Sequence, residues 1–241
     1  TAMSIASLLS PDRLIQISPI YRKAIATFGL ALSLLIVSGA PAQANSHTAN
    51  QSEMSEFAKA VKAIKDKQFQ DGLTRFIALA EAGDPEAQYN VAVLLHSGRG
   101  RPQNYSDALF WARLSQLGTI EQAEELAEEI QDRMTENDIQ SVLERVKAWL
   151  IRRVNDGYLE TIPQLATYHL ELLEEQDYET AYLWYTLATA LNIPETIKLR
   201  DDAEEELEPE QISALQAQTN SLFDQIIAGE PIMESEQINE N

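Results

Sequence analysis

The amino-acid sequence predicts an all-α protein built from helix–turn–helix units, and three observations carry that prediction. From about Glu53 onward alanine, leucine, glutamate and glutamine dominate, and apolar residues recur at the helical spacings of three and four. Helix stops and starts alternate along the same stretch, as at Gly83 followed by Asp84-Pro85. The chain also repeats itself: at an offset of 73 residues Tyr105 falls on Tyr178, Ala108 on Ala181, Trp111 on Trp184 and Leu114 on Leu187.

The first 44 residues stand apart from this pattern. Arg22 and Lys23 precede a run from Ala24 to Ala40 interrupted only by Thr27, Ser33 and Ser38, and Ala42-Gln43-Ala44 follows. A basic flank, an apolar stretch of about 15 residues and a small-x-small ending describe a secretory signal, with cleavage expected after Ala44. The run is short for a spanning helix, which needs roughly 20 apolar residues, so an uncleaved inner-membrane anchor is the weaker alternative. Ser4 to Tyr21 make a long lead, as an alternative start site would leave. Residues 45–52 read as a linker.

Residues 53–154 form the first expected block. Ala58, Val61, Ala63 and Ile64 make one apolar stripe, and Leu73, Phe76, Ile77 and Ala80 make the next, broken by Asp66-Lys67-Gln68. Asp84 is placed to cap a helix whose first turn holds Pro85. That helix is expected to reach about Ser97, and Gly98-Arg99-Gly100-Arg101-Pro102 forms a turn. Asn104 then caps a helix running through Trp111 to Leu117. The block closes with a helix from Thr135-Glu136 to about Arg153, where Asp138 stands in for the Glu or Gln of a capping box. Asn155-Asp156-Gly157 separates the blocks. The second, residues 158–227, closes with a helix from Pro209 to about Ile227. Residues 121–134 and 194–207 are degenerate, and irregular structure or shorter helices are expected there. The acidic residues 228–241 read as a disordered tail.

The duplication continues without a gap, with Ile139 on Ile212 and Val142 on Leu215. Half of its period is about 36 residues, close to the period of about 34 in two-helix repeats. In the first block Ala87, Val91, Ala92 and Leu95 precede Gly98-x-Gly100, and Ala108, Trp111 and Ala112 follow it. On these residues the chain resembles a Sel1-like repeat, a relative of the tetratricopeptide repeat. The second block keeps Tyr178, Ala181, Trp184 and Tyr185 but has Glu174-Glu175-Gln176-Asp177 in place of the glycine turn. The resemblance implies a short right-handed α-solenoid with a concave surface that binds other proteins. It implies no reaction.

Composition narrows the function further. The formal charge is −20, and removing the net +2 of Arg13, Arg22, Lys23 and Asp12 leaves a body nearer −22. Such a field repels nucleic-acid phosphates and anionic lipid, so neither is an expected partner, and membrane contact is left to the N-terminal apolar run if it is retained. The chain has no cysteine, which excludes disulfide staples and a lipid-modified cysteine and favours a bacterial periplasm over a eukaryotic secreted setting.

Residues able to carry chemistry are few, and no catalytic, cofactor or metal set is expected. His47 lies in the linker, and His169 falls on a packing position of the repeat. No metalloprotease, Ser-x-x-Lys or phosphate-loop motif occurs. The acidic run from Asp201 to Glu210 lacks the alternating ligands and central glycine of a calcium loop and reads as a solvated helix end. Asn104-Tyr105-Ser106 matches a glycosylation acceptor, but capping explains Asn104. By the resemblance, protein binding falls on the outward face of a first helix, where spacing nominates Tyr89, Asn90, Val93 and His96. The expected function is a non-catalytic scaffold, adaptor or regulator in the periplasm. Its expected partners are one or more envelope proteins, either a sensor kinase or a multi-protein envelope machine. The alternative is an accessory protein or enzyme of peptidoglycan metabolism.

Overall fold

The computed structural model describes residues 54–232. The expected signal, the linker and residues 233–241 lie outside the described residues. Those described form ten α-helices and no strand. In order they are α1 (Glu56–Lys65), α2 (Phe69–Glu81), α3 (Pro85–His96), α4 (Tyr105–Leu117), α5 (Glu121–Gln131), α6 (Glu136–Asn155), α7 (Ile162–Glu171), α8 (Tyr178–Ala190), α9 (Thr196–Glu204) and α10 (Pro209–Ala228). A 3₁₀ turn, Leu159–Thr161, leads into α7. The described residues divide into two compact units, one up to Trp111 and one from Ala112.

In the first unit α1 packs on α2, and α2 on α3. Ser55 starts α1 by accepting the Ala58 amide at 3.2 Å. Phe57 and Phe76 then meet edge to face at 5.3 Å, which fixes α1 against α2. Asp84 accepts the Ala87 amide at 3.0 Å and Pro85 occupies the first turn of α3, as expected. In the α3–α4 turn the Asn104 amide donates to the Leu95 carbonyl at 3.2 Å. The Asn104 side chain accepts from the Asp107 amide at 3.0 Å. Gly100 adopts φ +86°, and a Cβ there would stand 2.7 Å from the Phe69 carbonyl oxygen. Both the dihedral and the close approach demand glycine.

In the second unit neighbouring helices again pack in succession, α6 on α7, α7 on α8, and α8 on both α9 and α10. Thr135 caps α6 by accepting the Asp138 amide at 3.3 Å, and its hydroxyl donates to the Asp138 carboxylate at 2.7 Å. Asp138 therefore serves the cap, though through the threonine hydroxyl. At α10 the capping box is complete, with the Glu208 amide donating to Gln211 at 2.8 Å. The junction before α7 is held by Arg153, whose guanidinium lies 3.7 Å from the Tyr158 ring centroid and 5.2 Å from that of Trp149. The chain stays in place beyond α10: Ile232 is buried, and the Asn155 side chain exchanges two hydrogen bonds with its backbone, at 2.8 and 3.2 Å. The tail expected from residue 228 is thus pinned as far as residue 232.

From α4 onward the helix bounds repeat the duplication. Helices α4 and α8 are both 13 residues long and α6 and α10 both 20, each pair offset by 73. The two stretches read as degenerate hold α5 and α9, which end at Gln131 and Glu204, again 73 apart. Thr119 and Asn192 follow α4 and α8 with left-handed φ of 66° and 59°. Both copies close alike: Ile120 donates to Ser115 at 3.2 Å and Ile193 to Ala188 at 3.0 Å. The copies differ in the first turn, where Asp177 bonds His169 across eight residues while Asn104 bonds Leu95 across nine. They also differ at the tryptophans. Trp184 is buried, whereas Trp111 is half-buried with its ring edge-on to Phe110 at 4.9 Å.

Two outcomes follow from these backbone constraints. A β-branched residue in the left-handed region is strained, so Thr119→Asn, which copies Asn192, should raise stability in urea unfolding by about 0.5–1 kcal/mol. Gly100→Ala should lower it by about 2 kcal/mol or more in the same measurement, because strain and a backbone clash coincide.

Candidate functional site

Helix α3 carries all four residues nominated from spacing, and each is buried, with none more than 8% exposed. Tyr89 and Val93 are core. Asn90 donates to the Glu86 carbonyl at 2.7 Å, and the His96 ring lies 5.7 Å from that of Tyr105. The expected outward face is therefore corrected. Spacing at three and four marks a face of the helix, but nearly all of α3 is enclosed, so it has no outward face at these positions.

Polar groups converge instead in the second unit, in a cleft of about 420 Å³ where α7 and α8 meet α10. His169 comes from α7, Asp177 caps α8, and Glu179, Thr180 and Leu183 follow on α8. Helix α10 adds Glu210, Gln211, Ala214, Leu215 and Gln218. The register of α10 is set by its capping box, and that box positions Gln211 to donate to the Glu179 carboxylate at 2.5 Å.

Asp177 is the most constrained group in this cleft. One carboxylate oxygen accepts the Thr180 amide at 2.9 Å, and the other lies 3.2 Å from Nδ1 of the buried His169. The ring nitrogen faces that oxygen without meeting hydrogen-bond geometry. Burial pulls the Asp177 carboxyl upward, but the His169 ring and the Thr180 amide outweigh it and hold the group down at about 2. Neither serine nor cysteine lines the cleft, and Thr180 sits in the cap of α8. Among the described residues no group of three or more His, Cys, Asp or Glu side chains is placed to hold a metal ion.

The expectation that His169 is a packing residue holds for its burial, but it also forms a wall of this cleft. His47 lies outside the described residues. The acidic run spans the end of α9, the connection from Glu205 to Glu208 and the start of α10, and only Glu210 of it reaches the cleft. Sequence reasoning missed Glu179, Glu210 and Gln211 because they are about 30 residues apart and meet only when α8 packs on α10. Among the described residues no helix is long and apolar enough to cross a membrane.

Helix pairs packed in succession, duplicated with their caps and turns, define a tandem helical-repeat protein. Residues 85–115 and 164–193 match the Sel1 repeat family, covering α3–α4 and α7–α8, so the chain carries two Sel1-like repeats. Comparison with curated proteins finds no match. Sel1 repeats are generally protein–protein interaction modules and typically non-catalytic.

The depressed Asp177 carboxyl sets a pH dependence. Its folded value lies below its unfolded one, so it contributes stability above about pH 4 that is lost as pH falls toward 2. Discounted for its partial exposure, the contribution is about 1 kcal/mol. Urea unfolding between pH 5 and pH 2 should show Asp177→Asn less stable at pH 5 and with a flatter acid limb than the parent.

Proposed function

We propose that this chain is a non-catalytic scaffold, adaptor or regulator that binds envelope proteins in the bacterial periplasm. The observation that carries the reading is the pair of Sel1 repeats set in a duplicated four-helix block, since the repeat class works by presenting surface to other proteins. The export-like segment before Asn45 and the absence of cysteine support the periplasm. The acidic body suits a protein partner over nucleic acid or anionic lipid. Two forms of the role fit: holding a sensor kinase quiet, or taking a structural place in an envelope machine.

Affinity capture with the full chain as bait, from periplasmic and solubilised membrane extract, is expected to recover a specific envelope protein. Recovery of none would sink the proposal, and so would turnover of cell-wall fragments by the purified chain. Altered kinase signalling on deletion identifies the regulator, and loss of an assembled complex identifies the structural part.

A further inference from the structure

The cleft between α8 and α10 differs chemically from what its own duplicate supplies. At the 73-residue offset Asp177, Glu179 and Glu210 stand where the first block has Asn104, Ser106 and Asn137, and Gln218 stands where it has Arg145. Thr180 and Gln211 replace Asp107 and Asp138. The set of six changes from a net −1 to a net −3, and its cation is gone. Gathering carboxylates while losing their counter-charge has no value for packing, because like charges repel.

Three further features describe what the cleft suits. No lysine or arginine lines it, so beyond the contact of His169 with Asp177 no cationic side chain of the cleft faces its carboxylates. Its apolar wall, Leu183, Ala214 and Leu215, matches the methylene stem of a long cationic side chain. Glu179 is also held in place: Gln211 bonds its carboxylate at 2.5 Å and is itself bonded by the Glu208 amide at 2.8 Å. At the inner end, His169 is more than nine-tenths buried and its Nδ1 makes no hydrogen bond, although Asp177 Oδ2 lies 3.2 Å away. An N–H donor seated against both atoms from the cleft side would be accepted by the carboxylate, and by the ring nitrogen where that nitrogen carries no proton.

We propose that this cleft binds an alkyl cation, the guanidinium or ammonium end of an arginine or lysine side chain or of a small free amine. The apolar stem meets Leu183 and Leu215 while the charge lies among Asp177, Glu179 and Glu210. Only the protein source of the cation rests on the scaffold reading above.

Titration calorimetry on the full chain tests this with three probes: an eight-residue neutral peptide carrying one central arginine, the same peptide with citrulline there, and spermidine. The arginine peptide should bind at least tenfold more tightly than the citrulline peptide. The Glu179→Gln/Glu210→Gln double variant should lose at least tenfold in that affinity. An Asp201→Asn/Asp202→Asn control, which removes equal charge from α9 outside the cleft, should stay within twofold. Equal loss in the control, or no difference between arginine and citrulline, overturns the site. Tighter binding of spermidine than of the arginine peptide upholds the cation site and assigns its source to a free amine. If an envelope partner captured by the parent chain is bound equally by the double variant and the arginine peptide fails, this inference falls while the scaffold reading stands. If the probes bind as expected and no partner is captured, the reverse holds.

Discussion

Two helices can lie close along their length only where no bulky side chain stands between their backbones, and small buried residues recur where the two Sel1 repeats match. Ala108 on α4 and Ala181 on α8 have no exposed surface, and each sits one turn before a tryptophan at the same spacing. A methyl in place of a bulkier side chain lets a neighbouring backbone approach, and dispersion contacts then accumulate. Larger side chains there would force the pair apart, at about 1–3 kcal/mol for an overpacked position. The turns obey the same requirement. Gly100 passes so near Phe69 that no Cβ fits.

Once that contact is fixed, the rest of the block follows from helix ends. Side-chain caps at Asp84, Asn104, Thr135 and Asp177 start helices, and left-handed residues at Thr119 and Asn192 stop them. The two copies keep the start and end of α4 and α8 and of α6 and α10 to the residue, while the residues that line the cleft differ. Asn104 and Asp177 make the same cap bond, at 3.0 and 2.9 Å, yet only the aspartate brings a charge and a histidine neighbour. Capping tolerates Asn and Asp equally. The scaffold could therefore keep its geometry while the second copy acquired an acidic cleft.

Much of the architecture was legible along the chain because helix signals are local. The stripe through Leu73, Phe76 and Ala80 and the cap at Thr135 need only near neighbours, and both took their expected form. The site was far less legible. Tyr89, Asn90, Val93 and His96 share a helix with the repeat signature, but their exposure depends on everything packed around α3. The stretches holding α5 and α9, expected as irregular structure or shorter helices, are short helices of 11 and 9 residues, and Ala123, Ile130, Thr196 and Ala203 give each a narrow buried edge.

The sequence by itself determined the class of protein: all-α, duplicated at 73 residues, strongly acidic, and punctuated by caps that depend on residues no more than four positions away. Only the tertiary structure decided which polar groups meet. His169, Glu179 and Gln211 gain a common cleft through the packing of α8 on α7 and α10, and Asn155 finds Ile232 across 77 residues. The physical reason is range. Hydrogen bonds that cap a helix are written into a few consecutive residues, whereas burial and the electrostatic environment of a carboxylate are properties of whatever the fold brings beside it.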